Sequence, residues 1–276
     1  MRVVRTAADL RAALVAHRGS RLGFVPTMGA LHDGHTRLFH AVRDECAHRV
    51  ASIFVNPLQF DDPNDLAKYP RREETDVALA AEAGIDTVFV PAVQEIYPPG
   101  HATTVKVAGA ASGFEADHRP GHFEGVATVC LILFEIVRAD VAYFGQKDAQ
   151  QVAVIRQLVR DLHLPLEIRV VPTVRDDDGL AMSSRNVRLS AGERRSALAI
   201  PRALNAALAA HARGADPVAA ARDQLTGVET EYVDIAPFDG RPTLVIAARA
   251  GATRLIDNVP LDQPELAGLA AGGSDR

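Results

Sequence analysis

Up to residue 172 the chain alternates short apolar runs with longer segments of helical periodicity, and this alternation restricts the fold more than any other feature. The apolar runs are bounded by Gly, Pro or Asp, as buried parallel strands are, and they cover residues 22–25, 50–55, 87–90, 141–144 and 168–171. The segments between them place apolar side chains on one helical face, as in the stripe Val152, Ile155, Val159 and Leu162. Strands that alternate with helices are typical of a parallel sheet, so the sequence predicts an α/β fold with a doubly wound, Rossmann-like sheet.

After residue 172 the pattern changes to that of a smaller α+β unit. A polar stretch at 175–179 predicts a turn, and Ser190 with Glu193 forms a capping box before an Ala-rich helix. A small antiparallel sheet is predicted from the runs at 228–235, 243–248 and 253–256. We therefore expect a larger domain over residues 1–174 and a smaller one over residues 175–276.

The composition excludes several classes of protein. A length of 276 residues suffices for one large or two modest domains, and a formal net charge of −5 argues against a broad nucleic-acid surface. No run of about 20 apolar residues could span a bilayer, and the amino-terminal residues lack the apolar core of a secretory signal, so we expect a cytoplasmic protein without a membrane partner. Cys46 and Cys130 fall at apolar helical positions and are expected to be reduced core thiols. The small and polar residues at 270–276 predict that this end of the chain is frayed.

A loop with two glycines follows the first predicted strand and brings two imidazoles, His32 and His35, to the start of a helix. Backbone N–H groups and the positive end of a helix dipole favour phosphate at such a place, and imidazoles can donate hydrogen bonds to its oxygens. The alternative is an incidental turn with two surface histidines. Zinc binding is a weaker alternative, because the loop offers no further Cys or His to complete a ligand set.

A second polar cluster follows the run at 141–144, at the edge of the sheet where doubly wound proteins bind ligands. Lys147, Asp148 and Gln151 lie there within about one helical turn. Lysine is rare in this chain, which has only three among its 30 basic residues, and a compact ammonium group suits a phosphate under attack. The alternative is a capping aspartate beside a solvated lysine.

A third polar segment, residues 179–186, lies beside the predicted domain boundary. Ser183, Ser184 and Arg185 offer two hydroxyls and a guanidinium, which together can donate several hydrogen bonds to a triphosphate. The alternative is an ordinary surface loop. The combination of the three segments predicts a nucleotide site more strongly than any of them alone.

The order of these segments resembles that of a known superfamily. The HxGH of residues 32–35 and the Met-Ser-Ser-Arg of residues 182–185 resemble the paired signatures of nucleotidyl-transferases, which include class I aminoacyl-tRNA synthetases. Over residues 1–190 the resemblance narrows to the pantothenate synthetase family, whose motifs occur in order and with their spacing. The stretches that carry it are PTMGALH (26–32), IFVNPLQF (53–60), YPR (69–71), RPGHF (119–123), FGQKD (144–148) and DGLAMSSRN (178–186).

The resemblance implies an ATP-dependent ligase of pantothenate biosynthesis, in the coenzyme A pathway, that condenses (R)-pantoate with β-alanine. Pantoate and ATP would give pantoyl-adenylate and pyrophosphate, and the amine of β-alanine would then displace AMP to form pantothenate. Both steps develop negative charge on oxygen, so fixed hydrogen-bond donors matter more than acid or base strength. The resemblance also implies Mg²⁺ with the triphosphate and a homodimer.

The same resemblance assigns roles to individual positions. His35 would be a proton donor, His32 would contact phosphate, and Lys147 would stabilise charge at the α-phosphate. Gln59 and Gln151 would bind the hydroxyl and carboxylate groups of pantoate, for which amides are apt because they both donate and accept. The implied catalytic residues are His32, His35, Lys147, Ser183, Ser184 and Arg185. The implied ATP-binding residues are Met28, Gly29, Ala30, Leu31, His32, Asp33, Gly34, His35, Gly145, Gln146, Lys147, Asp148, Val174, Met182, Ser183, Ser184 and Arg185. An apolar wall around pantoate would comprise Met28, Val129 and Phe144, and the smaller domain would cover the nucleotide.

Other classes of function make different predictions. A nucleotidyltransferase that acts on a phosphate-bearing acceptor would share the HxGH loop but would leave Gln59 and Gln151 without a task. An aminoacyl-tRNA synthetase would need a basic face, which a net charge of −5 does not favour. A non-catalytic nucleotide sensor would bind ATP without turning it over.

Overall fold

Six strands form the larger sheet in the computed structural model, which describes residues 1–266. They are β1 (Arg2–Val4), β2 (Leu22–Thr27), β3 (His48–Ile53), β4 (Thr87–Phe89), β5 (Val141–Gly145) and β6 (Glu167–Val171). Their order is β1-β4-β3-β2-β5-β6, and β2 pairs in parallel with both β3 and β5. The predicted doubly wound α/β fold is confirmed. Because the chain runs outward in opposite directions from β2 and β5, the carboxyl ends of these two strands form the switch point at which such sheets bind ligands.

Both faces of this sheet are covered, as the continuous apolar runs of its strands require. Successive residues of a strand point to opposite faces, so Phe24 belongs to one core cluster and Val25 to the other. The same alternation places Phe144 in the first cluster and Tyr143 in the second. Each fully buried side chain of this size contributes about 1.5–3 kcal/mol through the removal of apolar surface from water.

The helices lie mainly between the strands. They are α1 (Ala7–Leu14), α2 (Asp33–Glu45), α3 (Pro63–Lys68), α4 (Glu73–Glu82), α5 (Val93–Ile96), α6 (Glu115–His118), α7 (His122–Val137), α8 (Ala149–Asp161), α9 (Ala191–Ala197), α10 (Ala199–Ala212) and α11 (Pro217–Arg222). Short 3-10 helices cover Val15–His17, Pro57–Gln59, Gln146–Asp148 and Asn186–Arg188. Cys46 and Cys130 are buried free thiols, as predicted. No helix in the described part of the chain is both long and apolar enough to cross a membrane.

The carboxyl-terminal part contains a separate antiparallel sheet of β7 (Glu229–Phe238), β8 (Arg241–Ala250) and β9 (Thr253–Pro260). The predicted capping box is present, since Ser190 Oγ accepts from the Glu193 N–H and the Glu193 carboxylate accepts from the Ser190 N–H. Side chains of α10 and β8 fill the core of this part, among them Ile200, Leu204, Leu244 and Ile246. The predicted small α+β unit is confirmed.

The chain divides into two compact units that do not follow its order. The first unit comprises Met1–Leu31, His35–Phe144 and Gln150–Val171, and the second contains His32–Gly34, Gly145–Ala149 and the described residues from Pro172 onward. The predicted boundary after residue 174, with domains 1–174 and 175–276, stays a prediction. The frayed end predicted for residues 270–276 lies outside the described residues.

Two details of the sequence interpretation need correction. The apolar runs do not predict strand β1, because three residues, Arg2–Val4, are too short to show a periodicity. The helical stripe predicts a core position for Leu162, but this residue is 47% exposed. The physical reason is that α8 ends at Asp161, so Leu162 no longer follows the helical stripe of Val152 and Ile155.

Candidate functional site

The second unit assembles three stretches that are far apart in sequence, and it contains most of the predicted nucleotide-binding residues. These are His32, Asp33, Gly34, Gly145, Gln146, Lys147, Asp148, Val174, Met182, Ser183, Ser184 and Arg185. The remaining predicted site residues belong to the first unit and are Met28, Gly29, Ala30, Leu31, His35, Gln59 and Gln151. The fold therefore places the first three residues of the HxGH motif, the turn that carries Lys147 and the Met-Ser-Ser-Arg loop in one unit.

A cleft in the second unit is lined by side chains from two of the three predicted segments. Lys147, Ser183 and Arg185 border it, and all three are partly buried. Its other lining residues are Leu180, Ala181, Ile200, Arg254, Leu255, Ile256 and Asp257. We call this the Lys147 cleft. Three cations, Lys147, Arg185 and Arg254, and the Ser183 hydroxyl line one cavity, a donor set suited to an anionic ligand.

His32 is held in the neutral form with a defined tautomer. The Gly34 N–H donates to His32 Nδ1 at 3.2 Å, so Nδ1 carries no proton and the neutral ring is protonated on Nε2. Burial lowers the pKa of His32 most, the Lys147 ammonium lowers it further, and the carboxylates of Asp33, Asp176 and Asp148 oppose both effects. His32 is therefore a neutral N–H donor that lies within the electrostatic reach of Lys147.

Lys147 lies on the 3-10 helix Gln146–Asp148, directly after β5. Its Nζ is 3.5 Å from Asp148 Oδ1, and the lysine side chain is only 18% exposed. Asn258 donates through Nδ2 to the carbonyl oxygens of both Gln146 and Lys147. No sequence motif points to Asn258, since it lies in strand β9 more than a hundred residues away.

The Met-Ser-Ser-Arg loop begins at a tight turn. Gly179 has φ +89° in this turn, and the Met182 N–H donates to the Val174 carbonyl at 2.9 Å, which sets these two predicted ATP contacts side by side. Arg175 lies at the base of the turn and forms a buried ion pair with Asp257 at 2.6 Å. The polar stretch at 175–179 is a turn, as predicted, but the arginine within it is an interior residue rather than a solvated one.

The loop after β2, in the first unit, is held by an aspartate that sequence reasoning missed. The N–H groups of Ala30 and Leu31 donate to the Asp76 carboxylate at 2.9 Å each, and the Gly29 N–H donates to Thr27 Oγ1 at 3.2 Å. Asp76 is only 3% exposed and belongs to α4. Because these three N–H groups are engaged, phosphate binding by this loop would depend on its imidazoles rather than on the amides of residues 29–31. His35 is partly buried in the first turn of α2.

Gln59 is the most firmly fixed of the predicted pantoate ligands. Asn56 Nδ2 donates to Gln59 Oε1 at 3.0 Å, and the Gln59 carbonyl accepts from His122 Nδ1 at 2.8 Å. Helix α7 approaches so closely that a Cβ on Gly125 would lie 2.3 Å from the Leu58 carbonyl oxygen. We call Pro57–Gln59 the Gln59 turn.

The other predicted pantoate contacts lie on α8, β5 and the helices around them. Gln151 is partly buried on α8, and its neighbour Gln150 has a different role, since Gln150 accepts from the Glu115 N–H and donates to nearby carbonyls. Val129 and Phe144 are buried in the core cluster of the first unit, and Met28 is partly buried. Their assignment to an apolar wall stays a prediction.

Comparison with known proteins gives a consistent match. The family model of pantoate-beta-alanine ligase matches residues 2–260. The chain is 47% identical over 273 residues to the pantothenate synthetase of Paracoccus denitrificans, covering 93% of this chain and 97% of that protein.

Solved structures agree with the sequence comparison. The crystal structure of pantothenate synthetase from Thermus thermophilus superposes with a TM-score of 0.90 at 44% identity, covering 95% of this chain and 99% of that one. The pantoate-beta-alanine ligase of Francisella tularensis, whose crystal structure is a complex with beta-gamma ATP and beta-alanine, gives a TM-score of 0.81 at 32% identity and covers 95% of this chain and 98% of that one.

Proposed function

The chain belongs to the pantoate-beta-alanine ligase family, and from that membership we propose that it joins pantoate to β-alanine at the expense of ATP. The products are pantothenate, AMP and pyrophosphate, and the intermediate is pantoyl-adenylate. The observation that carries the proposal is the assembly of His32, Lys147, Ser183 and Arg185 in one compact unit, with the last three lining one cleft.

The chemistry requires two successive displacements. A pantoate carboxylate oxygen attacks the α-phosphorus of ATP, the bond to the bridging oxygen breaks, and pyrophosphate leaves. The amine of β-alanine then attacks the activated carbonyl, loses a proton and expels AMP. Adenylation is needed because a free carboxylate repels nucleophiles and has no good leaving group.

Side chains of the second unit would stabilise the phosphate charge. In this proposal Lys147 neutralises the charge that develops at the α-phosphate, and the neutral His32 donates its Nε2–H to a phosphate oxygen. Ser183, Ser184 and Arg185 bind the triphosphate through hydroxyl and guanidinium donors. Fixed donors of this kind act most strongly where charge develops in the transition state.

Side chains of the first unit would bind pantoate and serve proton transfer. Gln59 and Gln151 would bind the hydroxyl and carboxylate groups, and the support for Gln59 is that its backbone and amide are both held in place. His35 would act as a proton donor. Val129 and Phe144 would contact the gem-dimethyl group of pantoate, as would Met28.

Mg²⁺ is part of the proposal as the partner of ATP. No group of three or more His, Cys, Asp or Glu side chains in residues 1–266 is arranged to hold a metal, which fits an ion bound mainly by phosphate oxygens and water. The ion would neutralise part of the triphosphate charge, and removing it with EDTA is expected to abolish turnover.

A cytoplasmic location and a homodimer complete the proposal. The homodimer comes from the family resemblance and the location from the sequence-based expectation above, and two buried free thiols are compatible with a reducing compartment. Sedimentation equilibrium would test the dimer, and fractionation of cells with an antibody would test the location.

The decisive experiment is exchange of labelled pyrophosphate into ATP with pantoate present and β-alanine absent. We expect exchange that depends on pantoate, because adenylate formation is reversible. A folded protein that binds ATP but shows no exchange would instead be a nucleotide sensor. Exchange that requires a phosphorylated acceptor in place of pantoate would identify a different nucleotidyltransferase.

A further inference from the structure

Two adjacent residues of β9, Asp257 and Asn258, contact both of the segments that line the Lys147 cleft. Asn258 contacts the turn that carries Lys147, and Asp257 contacts the turn that leads into the Met-Ser-Ser-Arg loop. All of these residues belong to the second unit. One short piece of strand therefore links the positions of a cation and a loop that are distant in sequence.

Both polar atoms of the Asn258 side chain form hydrogen bonds with the turn that carries Lys147. Its Nδ2 donates to the Gln146 carbonyl at 3.0 Å and to the Lys147 carbonyl at 2.8 Å, and its Oδ1 accepts from Gln146 Nε2 at 3.1 Å. The residue is only 5% exposed. An amide is the side chain that offers two donors and an acceptor in this shape, whereas a carboxylate would place negative oxygens against the two carbonyls.

Asp257 is fixed equally well. It forms two contacts with the Arg175 guanidinium, at 2.6 and 3.1 Å, and the two side chains are 2% and 1% exposed. Arg175 also donates to the Gly179 carbonyl at 3.1 Å, and the Asn258 N–H donates to Asp257 Oδ1 at 2.8 Å. The ion pair therefore ties β9 to the turn at 175–181 and orients the backbone of Asn258.

We propose that Asn258 is a positioning residue for Lys147: it holds the carbonyls on both sides of the lysine turn and so sets where the ammonium group stands in the cleft. The inference rests on the proposed function, since it gives Lys147 its task at the α-phosphate. Asn258 touches no reacting atom in this scheme. It acts through Lys147, and the Asp257–Arg175 pair keeps the strand that carries it in register with the Met-Ser-Ser-Arg loop.

The first test is a double-mutant cycle measured by pantoate-dependent pyrophosphate exchange. Asn258→Ala is expected to lower kcat by about tenfold to a hundredfold, because small displacements of a catalytic group cost that much, and to leave the KM for pantoate unchanged. In a Lys147→Ala background the same substitution should cause almost no further loss. A loss of equal size in both backgrounds would overturn the proposal, because it would show that Asn258 acts independently of Lys147.

Two further variants separate the loss of the Asn258 hydrogen bonds from a loss of packing. Asn258→Asp preserves the volume of the side chain and so protects the packing, but it removes the donors, and we expect it to be at least as damaging as Asn258→Ala. Asn205→Ala, at an exposed position of α10, is the matched control and should retain wild-type exchange. Wild-type kcat in Asn258→Asp would overturn the proposal.

A second readout is independent of turnover. The ammonium of Lys147 lowers the pKa of His32, while the carboxylates of Asp33, Asp148 and Asp176 raise it. If Asn258→Ala, which introduces no charge of its own, displaces the ammonium, NMR titration should give a higher pKa for the His32 imidazole than in the wild type. An unchanged pKa with reduced exchange would refute positioning, whereas absence of exchange in the wild type would refute the proposed function and leave this titration as the test of Asn258.

Discussion

The Gln59 turn and the Lys147 cleft are held in place by different kinds of interaction. The Gln59 turn is fixed by hydrogen bonds that Asn56, His122 and Arg119 donate to Gln59 and by the close approach of helix α7 at Gly125. The surroundings of the Lys147 cleft depend on charge, through the buried Arg175–Asp257 pair and the pairs that Arg194 forms with Asp176 and Asp178.

The difference follows from what each region is proposed to bind. A small hydroxy acid is recognised by shape and by a few neutral donors and acceptors, so a close-packed turn suits it. A triphosphate brings several negative charges, and the cations that meet it must themselves be oriented by anions nearby. Steric changes should therefore damage the first region most, and charge changes the second.

The largest effect is expected from removing one member of the buried ion pair. Arg175→Met should lower the free energy of unfolding by about 3–5 kcal/mol, because it leaves the Asp257 carboxylate buried and unpaired. Urea denaturation measures this change in the free energy of unfolding. Arg241 and Asp262 form the matched control, since they also approach to 2.6 Å but are each 48% exposed, and Arg241→Met should cost less than about 1 kcal/mol. Equal costs for the two substitutions would show that burial of the first pair has no energetic consequence.

Removal of the cleft cation comes next. Lys147→Ala should reduce pyrophosphate exchange by about 10²-fold to 10³-fold, or roughly 3–4 kcal/mol, since it deletes a donor aimed at developing charge. Lys106→Ala provides the control, because Lys106 is an exposed lysine of the first unit. The assignment of Lys147 would fail if both variants kept wild-type exchange.

A purely steric change tests the Gln59 turn. Gly125→Ala would place a Cβ 2.3 Å from the Leu58 carbonyl oxygen and 2.6 Å from the Gln59 nitrogen, so the backbone must move. We expect a loss of about 1–3 kcal/mol in stability and a raised KM for pantoate, with little change in the KM for ATP.

The control for this substitution is another helical glycine with room beside it. A Cβ on Gly192 would come no closer than 3.9 Å to Arg195 Nη2. Gly192→Ala should therefore be neutral or stabilising by up to about 1 kcal/mol, because alanine favours the helix. If Gly125→Ala behaved in the same way, the close contact would not be what positions Gln59.

Sequence reasoning found the parts of this molecule whose signal is local. Strands β2 to β9 follow from apolar runs and the Ser190 capping box from its spacing. Short motifs predict the site residues, and the roles of those residues stay predictions. The residues it missed have partners far along the chain. Asp76 accepts from Ala30 and Leu31, and Asn258 donates to the Lys147 carbonyl.

These misses have a common physical cause. A side chain that positions another residue through tertiary contacts leaves no periodic pattern in its own segment. Arg175 illustrates this, since its neighbours Asp176, Asp177 and Asp178 make the whole stretch resemble a solvated turn, although the arginine is buried against Asp257. Only the fold could show that the Asp257 carboxylate on β9 and the Arg175 guanidinium in this turn form an ion pair.

The smallest expected effect is a change in one titration. Lys147→Gln should raise the pKa of His32, because a cation that disfavours the imidazolium form is lost, while burial, the larger cause of the lowered pKa, remains.

Wild-type His32 is neutral at pH 7 and takes up its proton only below its ordinary pKa of 6.5. Since its folded pKa lies below the unfolded one, the stability that it contributes is present above that value and is lost as the pH falls. Lys147→Gln should reduce this loss of stability at acid pH. NMR titration of the imidazole Cε1–H measures the shift in the His32 pKa directly, with Lys106→Gln as the control. An unchanged pKa of His32 would mean that the charge of Lys147 does not act on the imidazole.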